Sequence, residues 1–165
     1  MTRNVRGNMK PQHKLITYLR FKRHYMACDE VSNYGNIADV IALDKNKRHV
    51  LEFEFKKSAR DLKVLEQKKR KYRFSSWVKW PHKFYFVVPE KLWKKEKEYL
   101  ESLKKDGIGT VIYFKSCGKL DFLIAIPSKL RTENVQNYDV VLKNFLARCT
   151  SAYAKLLTTH FGKEK

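Results

Sequence analysis

His49-Val50-Leu51-Glu52-Phe53-Glu54-Phe55-Lys56 alternates with a period of two, the repeat of a β-strand whose successive side chains point to opposite faces. Glu52, Glu54 and Lys56 therefore share one face, and Phe53 and Phe55 turn the other way, into a core. Just upstream, Asp44-Lys45-Asn46-Lys47-Arg48 supplies a polar hairpin turn, and Ile37-Ala38-Asp39-Val40-Ile41-Ala42-Leu43 is an apolar run of strand length holding a single acid. A hairpin that joins these two strands brings Asp39 to the same sheet edge as Glu54 and Lys56.

Working outward, residues 25–31 read as a further strand before the turn residues Ser32-Asn33-Tyr34-Gly35-Asn36. Pro11 suits a first helical turn, and Leu15, Ile16 and Leu19 recur at helical spacing through about His24. Downstream, Ser58-Ala59-Arg60-Asp61 has capping-box spacing with Asp in place of Glu or Gln, which predicts a helix over 61–73. An apolar, aromatic strand over 83–88 is stopped by Pro89, a highly charged helix follows over 90–105, and two strands over 107–114 and 120–126 flank the turn at 115–119. Tyr138, Leu142, Phe145, Cys149, Tyr153, Leu156 and His160 step by three and four, so the chain closes on a long helix. The expectation is one α/β domain spanning 1–165, a mixed central β-sheet flanked by α-helices, with loosely held ends at 1–10 and 162–165.

Charge narrows the function. The 165 residues hold 36 Lys and Arg against 17 Asp and Glu, a formal net charge of +19. Such an excess favours a polyanionic partner, because each phosphate neutralised releases counterions. Nucleic acid is the expected partner rather than a membrane surface, since the cations are spread over helices, loops and ends instead of lining one amphipathic helix. No run approaches the length of a membrane span and no hydrophobic leader opens the chain, which predicts a soluble, intracellular protein, cytoplasmic or nucleoid-associated. Cys28, Cys117 and Cys149 are odd in number and widely spaced, and the five histidines are scattered, so neither a zinc cluster nor a Ser/His or Cys/His triad has support. The cysteines are expected to be reduced and structural.

Metal-assisted phosphodiester cleavage needs carboxylates to hold the cation and a group such as Lys to orient water or stabilise charge. Asp39, Glu54 and Lys56 fit that need, with the main-chain carbonyl of Phe55 as a further oxygen. The acid-x-Lys triplet recurs at Asp61-Leu62-Lys63 and Glu66-Gln67-Lys68, yet only Glu54-Phe55-Lys56 lies on a strand beside another strand bearing an acid. The plainer alternative is an amphipathic edge strand with its charges in water.

Asp29-Glu30-Val31, the 37–43 run, Glu54-Phe55-Lys56-Lys57-Ser58 with Asp61, Phe84-Tyr85-Phe86-Val87-Val88-Pro89 and Gly107-Ile108-Gly109-Thr110-Val111-Ile112 together resemble the PD-(D/E)XK nuclease superfamily, and are most similar to its MmcB-like branch, associated with DNA repair. The similarity covers roughly residues 28–127. It implies a restriction-endonuclease-like core and a divalent-metal-dependent nuclease, with Asp39 and Glu54 as ligands of Mg²⁺, for which Mn²⁺ can substitute, and Lys56 as the catalytic lysine. Glu30 matches an upstream acid that serves as a further ligand or supports the ligands. Two features depart from the family pattern: Ala38 stands where the superfamily's name has Pro, and Glu52 adds an acid to the same face, which leaves open whether Glu30 and Glu52 join Asp39 and Glu54 as ligands. Ser58 and Asp61 also match family positions, and helix capping explains both equally well. Lys68, next to Leu65 and Tyr72 in the phase of the expected helix, either aims at the site or lays its stem over apolar surface.

Residues 56–73 hold nine Lys or Arg. Lys57, Arg60, Lys69, Arg70, Lys71 and Arg73 are the expected nucleic-acid contacts, with Trp77 and Trp80 either stacking on bases or packing in the core. The leading reading is a DNA endonuclease of repair, recombination or restriction type, with DNA preferred over RNA and a homodimer favoured where both strands are cut. The alternatives are a noncatalytic nucleic-acid-binding module with the same fold and a basic scaffold protein.

Overall fold

A computed structural model describes residues 10–33, 36–65 and 79–161. Six strands form one mixed sheet in sequential order: β1 (Met26–Asn33), β2 (Asn36–Asp44), β3 (His49–Phe55), β4 (Lys83–Pro89), β5 (Gly109–Ser116) and β6 (Lys119–Ile126). β1, β2 and β3 are antiparallel to one another, β3, β4 and β5 run parallel, and β6 returns antiparallel. Hairpin turns suffice for the antiparallel pairs, whereas each parallel pair needs a crossover. The β4–β5 crossover carries α2 (Glu90–Ser102), and α1 (Pro11–Arg23) and α3 (Tyr138–Phe161) precede and follow the sheet.

The alternation along β3 holds, but its charged face is not open to water. Both faces are covered, and every residue from Val50 to Lys56 is buried. On one face Val40, Phe53, Phe55, Tyr85 and Val87 pack with Leu15 and Leu19 of α1. The opposite face carries two apolar clusters: Ile41, Leu43 and Val50 beneath Val141 and Phe145 of α3, and Phe84, Phe86 and Val88 beneath Leu92 and Leu100 of α2. Each such side chain contributes about 1.5–3 kcal/mol on full burial. Glu52, Glu54 and Lys56 form the polar row between these clusters.

Two helix boundaries differ from the sequence reading. The helix expected over 61–73 begins as a π-helical turn, Asp61–Leu65, and residues 66–73 lie outside the described residues. The helix expected over 90–105 ends at Ser102 and tightens into a 3₁₀ turn, Leu103–Asp106, closed by Gly107 at φ 73°, a left-handed conformation that costs glycine little. Gly109 has no room for a side chain, since a Cβ there would lie 2.5 Å from the Tyr85 ring and 2.6 Å from the Ser128 amide nitrogen.

The β3–β4 junction carries a titratable element. The Val50 N–H donates to His82 Nδ1 at 3.2 Å, and the His82 ring stacks on His49 with centroids 4.9 Å apart. Burial pushes the His82 pKa below its ordinary value and the neighbouring His49 lowers it further; burial likewise lowers His49, opposed by Asp44. With folded pKa values depressed, the unfolded chain binds more protons. The stability contribution is therefore complete above the unfolded value near pH 6.5 and is lost as pH falls through the folded values. The melting temperature is expected to drop by a few degrees between pH 7 and pH 5. His82→Asn, whose amide oxygen can accept the same N–H without titrating, is expected to flatten that dependence; an unchanged slope would place the titrating groups elsewhere.

Candidate active site

Strand register puts the first two acids together. β2 and β3 pair Ile41 with Glu52 and Val40 with Phe53, so one further step sets Asp39 opposite Glu54, on the same face and at side-chain contact range. The ladder stops there. Asp39 Oδ2 accepts the Phe55 N–H at 2.7 Å in place of a backbone carbonyl. In extended backbone the N–H and C=O of one residue point to the same side, so the Phe55 carbonyl is turned toward Asp39, while the Lys56 N–H points the other way and donates to the Val87 carbonyl at 3.0 Å.

Lys56 is the surprising member. It is 1% exposed, among the largest fully buried side chains of the protein. Its ammonium lies 3.2 Å from Glu54 Oε1, 3.8 Å from Asp61 Oδ1 and 5.7 Å from the centre of the Phe86 ring. A buried ammonium is tolerated where carboxylates surround it, and the chain supplies one from the strand and one from the turn that follows. That turn is locally determined. The Asp61 N–H donates to Ser58 Oγ at 3.1 Å, the Leu62 N–H to the Ser58 carbonyl at 3.0 Å, and Asp61 Oδ2 accepts the Lys57 N–H at 3.3 Å. Ser58 thus caps the turn, and Asp61 both supports it and faces Lys56.

Asp39, Glu54, Phe55, Lys56, Lys57 and Asp61 line one cleft of about 260 Å³, closed on one side by Gln12 of α1. Gln12 carries no motif; its place depends on how α1 crosses the sheet. Lys57 is exposed at the cleft, and Arg60, the neighbour of Asp61 in the chain, is exposed as well. Two expected ligands are not brought to it. Glu30 sits at φ 50°, where the β1–β2 ladder skips the Glu30–Asp39 pair, and its carboxylate turns outward to Arg148 of α3 at 3.0 Å. Glu52 is buried one pleat further from the open end, opposite Ile41 and Phe84. Lys68, Lys69, Arg70, Lys71, Arg73 and Trp77 lie outside the described residues. Trp80 takes the packing role: half-buried, it meets Phe84 edge-on at 6.1 Å and carries the Arg131 guanidinium over its ring at 4.1 Å. Cys28 and Cys149 pack together between β1 and α3 as free thiols. Burial pushes the Cys28 thiol up to about 12, which keeps it protonated and inert.

Among the described residues no three His, Cys, Asp or Glu side chains form a metal cage. Two carboxylates and a main-chain carbonyl at an open cleft nevertheless match the needs of Mg²⁺, which is held by one or two carboxylates and keeps waters or substrate oxygens in its other positions. No helix among the described residues is long and apolar enough to cross a membrane.

No family model matches the sequence, and no curated protein matches it significantly. The fold is similar to the solved structure of the SPO1766 protein of unknown function from Silicibacter pomeroyi, with 16% sequence identity over 96% of this chain and 97% of that one and a TM-score of 0.58. At that identity the likeness extends to the architecture, a mixed sheet with flanking helices, and not to activity.

Lys56 does not stand on an open face of the sheet, so its truncation carries a cost. Lys56→Ala is expected to lower stability by about 3–5 kcal/mol in urea titration, the usual cost of removing one member of a buried ion pair. Lys56→Met combined with Glu54→Gln, which preserves volume and removes both charges, is expected to recover most of that loss. Equal losses in the two proteins would show that packing, not charge, sets the cost.

Proposed function

We propose that this chain is a divalent-metal-dependent nuclease that hydrolyses phosphodiester bonds, acting on DNA in preference to RNA. The observation that carries this reading is the buried Lys56 ammonium held against Glu54 in the cleft that also contains Asp39 and the Phe55 carbonyl. A solvated edge strand gives no reason to bury a lysine. A module that only binds nucleic acid gains nothing from gathering carboxylates where phosphates approach, because they repel the ligand.

Asp39, Glu54 and the Phe55 carbonyl would hold Mg²⁺ or Mn²⁺, which supplies Lewis-acid activation of water and of the scissile phosphate. The chain's own groups do the rest. The hydrogen bond from the Phe55 N–H fixes the Asp39 carboxylate before substrate arrives. Glu54 and Asp61 hold the Lys56 ammonium at one place, so it can stabilise the charge that develops on the phosphate oxygens without reorganising. Lys57 and Arg60 supply phosphate attraction at the cleft mouth, within the wider field of a +19 chain.

Plasmid cleavage with Mg²⁺, with Mn²⁺ and with EDTA tests the reading. Lys56→Met is expected to reduce cleavage by about 10²-fold or more while DNA affinity changes little, since it removes one cation among 36. Asp39→Asn, which can still accept the Phe55 N–H, is expected to weaken Mn²⁺ binding in calorimetry by at least about tenfold and to keep DNA binding. Wild-type cleavage by Lys56→Met would remove Glu54-Phe55-Lys56 from the chemistry. Lys57→Ala with Arg60→Ala is expected to lower the slope of log K against log salt by about 1–2; an unchanged slope would place the DNA path elsewhere.

A further inference from the structure

The turn that carries Asp61 is held from two sides. Asp61 and Lys63 lie two residues apart on a helical turn and project to nearly opposite sides of it. Asp61 faces the cleft and Lys56. Lys63 faces α2, where its ammonium pairs with the Glu96 carboxylate and stands 5.2 Å from the centre of the Tyr99 ring. Between them Leu62 is fully buried in the cluster beneath α2.

Glu96 is an unusual helix residue. It is 7% exposed on a helix whose other charged side chains reach water, and its backbone, at φ −115° and ψ 24°, leaves helical geometry within α2. A buried carboxylate needs a cation, and Lys63 provides it. The π-helical form of the turn, a geometry found disproportionately at functional sites, lets residues 61 and 63 meet partners on separate elements.

We infer that the Lys63–Glu96 ion pair is a positioning device: it anchors the 61–65 turn to α2 and thereby fixes Asp61 against Lys56. The geometry stands on its own; what the anchored lysine does rests on the nuclease reading above. The anchor explains why an α2 residue remote from the cleft in sequence is both buried and charged.

The test uses the full-length chain carrying Glu96→Gln, Lys63→Met or Lys63→Arg, examined by amide hydrogen exchange and by kcat and KM on plasmid DNA with Mn²⁺. Glu96→Gln and Lys63→Met are expected to speed exchange of the 57–65 amides by about tenfold or more while β3 and β4 amides keep their protection. In the same variants kcat is expected to fall by a similar factor with KM unchanged, and Lys63→Arg, which keeps the charge, to retain both properties. Unchanged exchange at 57–65 overturns the anchor, as does acceleration spread evenly over the sheet, which would assign the pair to global stability. A wild-type kcat in a variant whose turn has opened overturns the positioning role. Absence of cleavage by the wild-type protein with either metal would sink the nuclease reading alone, and the exchange pattern would still decide the anchor.

Discussion

An ammonium group removed from water must be met by negative charge, and the interior around Lys56 is arranged to meet it. Glu54, two residues earlier on the same face of β3, supplies one carboxylate at 3.2 Å. The second comes from Asp61, and only a chain that reverses immediately after the strand can deliver it. Ser58 makes that reversal by capping the turn through its side chain and its carbonyl, and Leu62 secures it by entering the core. The capping, the π-helical geometry and the burial of Leu62 are thus parts of one solution to the same electrostatic constraint.

The same constraint explains how a single strand serves both core and site. Phe53 and Phe55 fill the layer beneath α1, where Phe53 stacks on Tyr85 with ring centres 5.2 Å apart. Glu52, Glu54 and Lys56 occupy the other face, between the clusters under α2 and α3. A rigid apolar layer on one side fixes the strand, and a fixed strand holds charged groups in position without the help of solvent. The cost of burying those charges is offset by the packing around them, and the result is a cleft whose charged groups are held in place.

Two electrostatic scales act on that cleft. The net charge of +19 is a property of the whole chain and would favour a polyanion at long range, within the limit set by salt screening. Within the cleft the balance reverses, with the carboxylates of Asp39, Glu54 and Asp61 outnumbering the ammonium groups of Lys56 and Lys57. Under the proposed nuclease function, attraction at long range and a compact acidic pocket would serve to admit a phosphate backbone together with a cation.

How much of this was legible in the sequence follows from the range of each interaction. Period-two alternation revealed β3, the polar turn at 44–48 revealed its pairing with β2, and those two local facts already brought Asp39 to the same sheet edge as Glu54, although the register that sets the two opposite each other came from the structure. Ser58 and Asp61 were legible as a cap because their spacing is equally local. The burial of Lys56 was not, since an alternating charged strand looks the same whether its polar face meets water or two packed helices. Glu30 was assigned to the site by pattern, yet Arg148, 118 positions away, turns it outward, and Gln12 reaches the cleft only because α1 crosses the far layer. The sequence by itself determined the strands and the hairpin that joins β2 to β3, both set by neighbours a few residues apart, and the excess of positive charge. Which charges are buried, and which meet, was decided only by the tertiary structure, because desolvation depends on what packs over a residue and not on what stands beside it in the chain.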